Sequence, residues 1–143
     1  EFRSRHSAAT EAVGYGKMLM GAHLAGLSIE NSMLGAAHAC ANPLTAWFGT
    51  THGVAIALML PHVVRWNKSH ADYGLLYPNC LAERLTYLAQ AAGMPRNLEQ
   101  AGVSAGTLSL LAADAADQWT GRFNPRPFHQ SAALEIYRCA YSA

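Results

Sequence analysis

Apolar positions along the chain recur every three to four residues, and this spacing predicts helices. Four groups of apolar residues have it: Val13, Met20, Leu24 and Leu27; Leu81, Leu85, Leu88 and Ala92; Leu108, Leu111, Ala112, Ala115 and Trp119; and Leu134, Tyr137 and Tyr141. Residues at this spacing share one face of an α-helix, whereas a half-buried strand alternates apolar and polar residues with a period of two. No such alternation occurs. The pattern therefore predicts an all-α, multi-helix fold.

Turn-forming residues indicate where these helices end. Gly93-Met94-Pro95 predicts the end of the second helix, because glycine accepts the left-handed conformation after a helix and proline cannot continue one. Asn97 and Gln100 match a capping box that opens a short turn, which Gly102 closes. The two prolines of Asn124-Pro125-Arg126-Pro127 predict a loop, because proline lacks an N–H donor and disfavours helical dihedrals in the residue before it.

Length and composition are those of one packed domain. The chain has 143 residues, of which 51% are apolar and 13% charged, and this balance excludes a largely disordered protein. Residues 1–8 have no periodicity, so we interpret them as a vector remnant or a cut end and place the helical domain at residues 9–143. Ten Lys and Arg against nine Asp and Glu leave a net charge of +1 without a basic stripe. We therefore expect no nucleic-acid partner.

The cysteines and the apolar stretches bear on where the protein works. Cys40, Cys80 and Cys139 form no C-x-x-C pair, which favours a reducing, cytoplasmic environment. The apolar stretches at 18–29 and 53–64 are too short to span a bilayer. We therefore expect a cytoplasmic protein without a membrane segment.

Two histidines in a region of small residues are the candidate chemistry. His38 and His52 lie fourteen residues apart within Gly26–Asn67. The spacing alone leaves two interpretations open, a pair of metal ligands or a buried histidine together with a helix-capping one. Two histidines with no third kind of ligand nearby are a weak metal signal.

The longer stretch around these histidines resembles the family of iron-containing alcohol dehydrogenases. In that family a small-residue helix carries one metal ligand, an H-x-x-x-x-P-L step follows, and the second ligand begins an H-G-V-A helix that ends in L-P-H. The matching segments here are His38–Leu44, His52–Ala55 and Leu60–His62. The resemblance continues through the loop at 124–127 to Leu134–Arg138, so it covers nearly all of the chain after residue 9.

The resemblance implies the C-terminal, metal-binding domain of an NAD(P)-dependent oxidoreductase acting on alcohols and aldehydes. In such enzymes this all-α domain packs against an N-terminal nucleotide-binding domain, and Fe(II) or Zn(II) lies between the two. One Asp and three His hold the metal, and His38 and His52 match two of these ligands. Asn42 stands where the family often has a histidine facing the nicotinamide, so the resemblance places it near that cofactor. It assigns no catalytic residue to this chain. Neutral imidazoles bind iron and zinc alike, so His38 and His52 do not decide between the two metals.

The rest of the family's machinery is absent from this sequence. No Asp is followed by His four residues later, although the family's other two ligands occur as D-x-x-x-H, and no Gly-rich phosphate loop follows a predicted strand. We therefore expect a fragment that is inactive alone and associates with itself in place of its missing domain. The alternative is a free-standing helical module for metal binding or self-assembly. Paired E-x-x-H motifs of a di-iron bundle and an H-E-x-x-H protease motif are both missing.

The remaining histidines and the aromatic residues near the motif have simpler interpretations. We expect structural or surface roles for His23 and His62, and solvent exposure for His70 and His129. For Trp47, Phe48 and Trp66 the sequence leaves open core packing or lining of a substrate cleft.

Overall fold

The computed structural model describes residues 8–68 and 71–142, and every regular element within these ranges is a helix. The α-helices are α1 Ala8–Ser32, α2 Ala36–Phe48, α3 His52–Asn67, α4 Ala71–Leu76, α5 Leu81–Ala91, α6 Leu108–Asp117 and α7 Gln130–Ser142. Short 3-10 helices lie at Ala105–Thr107 and Trp119–Phe123. The predicted all-α fold is confirmed. The interpretation of residues 1–8 falls almost entirely outside the described residues.

The chain divides into two compact units, residues 1–33 and 34–143, and α1 is the described helix of the first. Val13, Met20 and Leu24, from the predicted stripe, lie on this helix but are exposed. Met18 and Leu19 lie away from that stripe and are 74% and 72% exposed. Apolar side chains therefore occupy more than one face of α1. Within the described residues no helix is long and apolar enough to cross a membrane.

The core of the second unit is built from α2, α3, α6 and α7. Its largest fully buried side chains include Leu44, Met59, Leu98, Leu111, Ile136 and Tyr137. Alanines between them allow the helix backbones to approach closely. The Tyr137 hydroxyl donates a 2.6 Å hydrogen bond to the Cys40 carbonyl oxygen, which satisfies a buried polar group. This bond ties α7 to α2.

The apolar stripe predicted on α6 is correct except at its last member. Leu108, Leu111, Ala112 and Ala115 are all buried on one face of the helix. Trp119 is exposed, because α6 ends at Asp117 and the indole lies in the following 3-10 helix, edge-on to Phe123. Trp119 has the helical spacing of the other four residues, but it lies two residues beyond the end of α6 and is therefore not buried with them.

The predicted end of α5 is confirmed by its hydrogen bonds, and the predicted capping box at Asn97 is confirmed in one of its two bonds. At the end of α5 the Met94 N–H donates to the Ala89 carbonyl and the Gly93 N–H to that of Gln90, with Gly93 at φ +72°. This is a Schellman motif, which needs a left-handed residue at the glycine. In the next turn the Gln100 N–H donates to Asn97 Oδ1 at 2.9 Å. The Gln100 side chain, however, accepts from the Arg96 N–H instead of closing the box on Asn97.

The predicted loop at 124–127, here called the NPRP loop, is anchored to the C-terminal end of α3. Asn124 Nδ2 donates to Asn67 Oδ1 at 2.8 Å, and Asn67 Nδ2 donates back to Asn124 Oδ1 at 3.2 Å. Arg126 lies 4.0 Å above the Trp66 ring, and its Nη1 donates to the Trp66 carbonyl at 2.6 Å. A cation therefore satisfies a carbonyl that the helix end leaves without an intrahelical partner.

Candidate metal centre

His38 and His52 reach the same point from two packed helices. His38 lies in the first turn of α2, and His52 is the first residue of α3. Their ring centroids are 5.5 Å apart, with the ring planes inclined by 44°. The expectation that the two rings converge is therefore confirmed. Helix packing within this chain is sufficient to bring the imidazoles together.

The surroundings of His38 keep its ring in the form that a metal needs. The side chain is partly buried, and this burial lowers the pKa of its imidazole, with the neighbouring His52 lowering it further. A neutral imidazole has one nitrogen with a free lone pair. His52 is exposed, so a ligand reaches the pair from the solvent side. The pair fits a divalent ion of the kind that imidazole binds.

The pair by itself does not make a complete metal site. Among the described residues, no group of three or more His, Cys, Asp or Glu side chains is arranged to hold a metal ion. The nearest cysteine in the sequence, Cys40, is fully buried, and burial raises the pKa of its thiol well above the usual range. The thiolate that would bind metal is therefore disfavoured. His38 and His52 are two candidate ligands, and a tetrahedral site needs four.

The remaining described histidines have other surroundings. His23 lies in the middle of exposed α1, and His62 lines a cavity between α3 and α5. His129 is exposed, as expected, and its Nδ1 accepts a 3.3 Å hydrogen bond from the Ala132 N–H at the start of α7. His70 lies outside the described residues. Its expected exposure stays a prediction.

Asn42 lies one helical turn after His38 and is held by a chain of hydrogen bonds that the sequence did not reveal. Asn42 Nδ2 donates to Gln118 Oε1 at 3.0 Å, and Gln118 Nε2 donates to Asp114 Oδ1 at 3.3 Å. Trp47 Nε1 donates to Asp114 Oδ2 at 3.0 Å. The network links α2 to the end of α6. No sequence pattern marks Gln118 or Asp114, because they lie far from Asn42 along the chain.

The aromatic residues near the motif differ in their contacts and in their burial. Trp47 is 47% exposed and uses its indole N–H to hold Asp114. Phe48 packs against the core while partly exposed, and Trp66 is buried within it. Core packing therefore accounts for Phe48 and Trp66. Trp47 lies at the surface, so lining of a substrate cleft stays open for this residue alone among the three.

Comparison with known proteins identifies the same family that the sequence resembles. A sequence model of the Fe-containing alcohol dehydrogenase family, C-terminal part, matches residues 5–75. Lactaldehyde reductase of Escherichia coli K12 is 30% identical over 87% of this chain and 37% of its own length. The 1,3-propanediol dehydrogenase of Klebsiella pneumoniae is 30% identical over 82% of this chain and 35% of its own length.

A solved structure gives the same result for the fold. The crystal structure of a 1,3-propanediol oxidoreductase superposes with a TM-score of 0.72 at 31% identity, over 82% of this chain and 35% of that one. The chain thus spans little more than a third of the length of these relatives. It matches them in sequence and in fold. The chain therefore belongs to the Fe-containing alcohol dehydrogenase family and corresponds to its C-terminal domain.

Proposed function

We propose that this chain is the metal-binding C-terminal part of an NAD(P)-dependent alcohol dehydrogenase, with His38 and His52 as two of its metal ligands. The observation that carries the proposal is the 5.5 Å separation of the two imidazole rings on facing helices. The names of the relatives, a lactaldehyde reductase and a 1,3-propanediol dehydrogenase, describe the interconversion of alcohols and carbonyl compounds. Which alcohol or aldehyde this chain would serve is left open.

The two histidines would bind and orient the metal ion. The preceding part of the enzyme would supply the remaining ligands of the metal site. His38 and His52 would each offer a ring nitrogen to Fe(II) or Zn(II). Such an ion, when bound, acts as a Lewis acid on an alcohol oxygen. By the family pattern an Asp and a third His come from a D-x-x-x-H segment that this sequence lacks. The missing partner is the N-terminal nucleotide-binding domain, which would also hold NAD(P).

Asn42 would contribute a hydrogen bond near the nicotinamide. Its amide N–H₂ is engaged by Gln118, so its carbonyl oxygen is the group left to accept a hydrogen bond from a cofactor or substrate. A carboxamide does not titrate near neutral pH and cannot relay a proton as a histidine can. We therefore assign Asn42 a positioning role, with its orientation held by the network through Gln118, Asp114 and Trp47.

Acting alone, the chain would bind metal weakly and would not oxidise alcohols. Two neutral imidazoles supply no negative charge, and the carboxylate of the complete site is on the missing part. Without a phosphate-binding loop nothing orders the hydride acceptor. We also propose that the protein is located in the cytoplasm. This location is supported by the three cysteines, which are all unpaired.

Zinc titration of the 143-residue chain, followed by NMR of the histidine ring nitrogens, tests the ligand assignment. We expect the signals of His38 and His52 to shift together at high zinc concentration, and the shift to be lost in His38→Asn and in His52→Asn. His23→Asn, a histidine on the exposed first helix, is the matched control and should respond like the parent. Shifts that persist in both ligand variants would contradict the assignment.

An activity assay distinguishes the fragment from the free-standing module. Alcohol oxidation with NAD(P) and added iron or zinc is measured for the chain alone, and then for its mixture with a nucleotide-binding half made separately. We expect turnover only in the mixture, with loss in His38→Ala. Turnover by the chain alone that requires His38 and His52 would overturn the proposal. Tight, stoichiometric metal binding without turnover in either sample would favour the module.

A further inference from the structure

A cavity on the far part of α3 has no role in the proposed metal site. It has a volume of about 270 Å³ and lies between α3, α5 and the turn that follows α5. His38, Asn42 and His52 do not line it. Its polar lining comes from His62, Arg65, Thr86, Gln90 and Arg96. Any function of this cavity is therefore independent of the metal ligands.

The charges around this cavity have one sign. Arg65 on α3 and Arg96 on the turn both line it, and no Asp or Glu does. Within residues 8–68 and 71–142, neither arginine forms an ion pair with a carboxylate. Two guanidinium groups close to one cavity repel each other unless an anion lies between them. The lining therefore favours a negatively charged ligand.

His62 is a second polar group that lines this cavity. Its side chain is only 9% exposed, yet no hydrogen bond joins its ring to another residue in the described part of the chain. Among the described residues, its ring nitrogens do not belong to the fully buried atoms that lack a partner, so they open onto the space of the cavity. Burial, and next the charge of Arg65, lower the pKa of His62 to about 4, so the neutral ring has one N–H to donate. A ligand in the cavity could accept a hydrogen bond from this N–H.

Size and donor arrangement narrow the choice of ligand. A volume near 270 Å³ is at the lower end for ligand pockets and excludes a whole dinucleotide. The donors come from three places: a guanidinium and an imidazole on α3, the Gln90 amide on α5, and a second guanidinium on the turn. Thr86 gives its hydroxyl proton to the Ala82 carbonyl and is not among them. Donors on several sides suit a tetrahedral anion with four oxygens better than a planar carboxylate.

We propose that this cavity binds a phosphate group, either as inorganic phosphate or at the end of a small phosphate ester. Two guanidinium groups balance the charge of a phosphate dianion, and the His62 and Gln90 N–H groups reach its remaining oxygens. Removing one arginine leaves half of that charge unbalanced. The affinity for phosphate should then fall by about tenfold or more.

Calorimetric titration of inorganic phosphate into the 143-residue chain at constant ionic strength tests the proposal. We expect saturable binding by the parent, and a rise of about tenfold or more in Kd in Arg65→Gln and in Arg96→Gln. Both side chains are exposed, so the substitutions leave the core intact. Arg138→Gln changes an exposed arginine on α7 that does not line the cavity, and it should bind like the parent. Absence of binding, or equal loss in all three variants, would overturn the proposal.

Two further ligands identify the source of the phosphate group. Glycerol phosphate that binds as tightly as inorganic phosphate, with the same dependence on Arg65 and Arg96, supports a phosphate ester. Glycerol phosphate that fails to bind, beside inorganic phosphate that does, supports the free ion. Acetate binding as tightly as phosphate would show a general carboxylate site and refute the preference for phosphate.

Discussion

Four of the described histidines have three different kinds of surroundings. His38 and His52 face each other, His129 caps α7, and His62 lines the cavity between α3 and α5. The same imidazole is therefore a candidate ligand, a helix cap and a buried donor at different positions.

The stability of the chain should fall in mildly acidic solution because of His62. Burial, followed by the charge of Arg65, lowers the pKa of His62 from 6.5 to about 4 in the folded chain. Between these values the unfolded chain binds a proton that the folded chain does not, so the free energy of unfolding decreases as the pH falls through this window. Above pH 6.5 the ring is neutral in both states and contributes no slope. The loss is on the order of 1–3 kcal/mol.

Urea unfolding from pH 7.5 to 4 in phosphate-free buffer measures this loss. His62→Gln should unfold with a flatter dependence on pH than the parent. His23→Gln, a change on the exposed first helix, should keep the parent's slope. An identical slope in the parent and in His62→Gln would contradict the assignment.

Among the elements, the NPRP loop depends on contacts that are distant in sequence. Asn124 donates to the Asn67 side chain and to the Arg126 carbonyl, and its Oδ1 lies 3.4 Å from the Ala36 N–H. One carboxamide therefore links the loop, the end of α3 and the start of α2. Because α2 carries His38 in its first turn, the loop also supports the helix that bears the first candidate ligand.

Substitution of this asparagine should destabilise the second unit. Asn124→Ala removes these bonds and leaves the partly buried Asn67 amide without one partner, which costs about 1–3 kcal/mol. Chemical denaturation measures the cost. Asn79→Ala, at an exposed asparagine, is the control and should change stability by less than about 0.5 kcal/mol. Equal stability of the two variants would show that the NPRP loop does not rely on Asn124.

At the scale of the whole molecule, α1 exposes apolar side chains that a partner would cover. Met18 and Leu19 are 74% and 72% exposed, and Val13, Met20 and Leu24 are exposed as well. Exposed apolar clusters commonly mark interaction surfaces. In the complete enzyme the partner we propose is the rest of the polypeptide. For this chain alone we predict that a second copy takes its place.

Light scattering over a range of concentrations tests this self-association. The parent chain should have at least twice the monomer mass at high concentration, and the double variant Met18→Gln, Leu19→Gln should shift towards the monomer. Leu110→Gln, at an exposed leucine on α6, is the matched control and should associate like the parent. A parent chain that stays monomeric at high concentration would contradict the prediction.

The sequence by itself determined the properties that depend on neighbouring residues. The all-α fold follows from the helical spacing of apolar residues, and the end of α5 from the ability of Gly93 to adopt φ +72°. His38 and His52 could be selected because a short motif carries both. Trp119 shows the limit of this local reasoning. Its spacing predicted a position on the apolar face of α6, but the helix ends two residues before it.

Only the tertiary structure decided which polar groups lie together. Asn42 and Gln118 are 76 residues apart, and Asn67 and Asn124 are 57 apart, so no local pattern pairs them. The cavity beside His62 likewise exists only after α5 and its following turn pack against α3. Helix formation depends on residues three to four positions apart, whereas burial and hydrogen-bond partners depend on which helices pack. The sequence therefore predicted the candidate ligands, and the packing determined their surroundings.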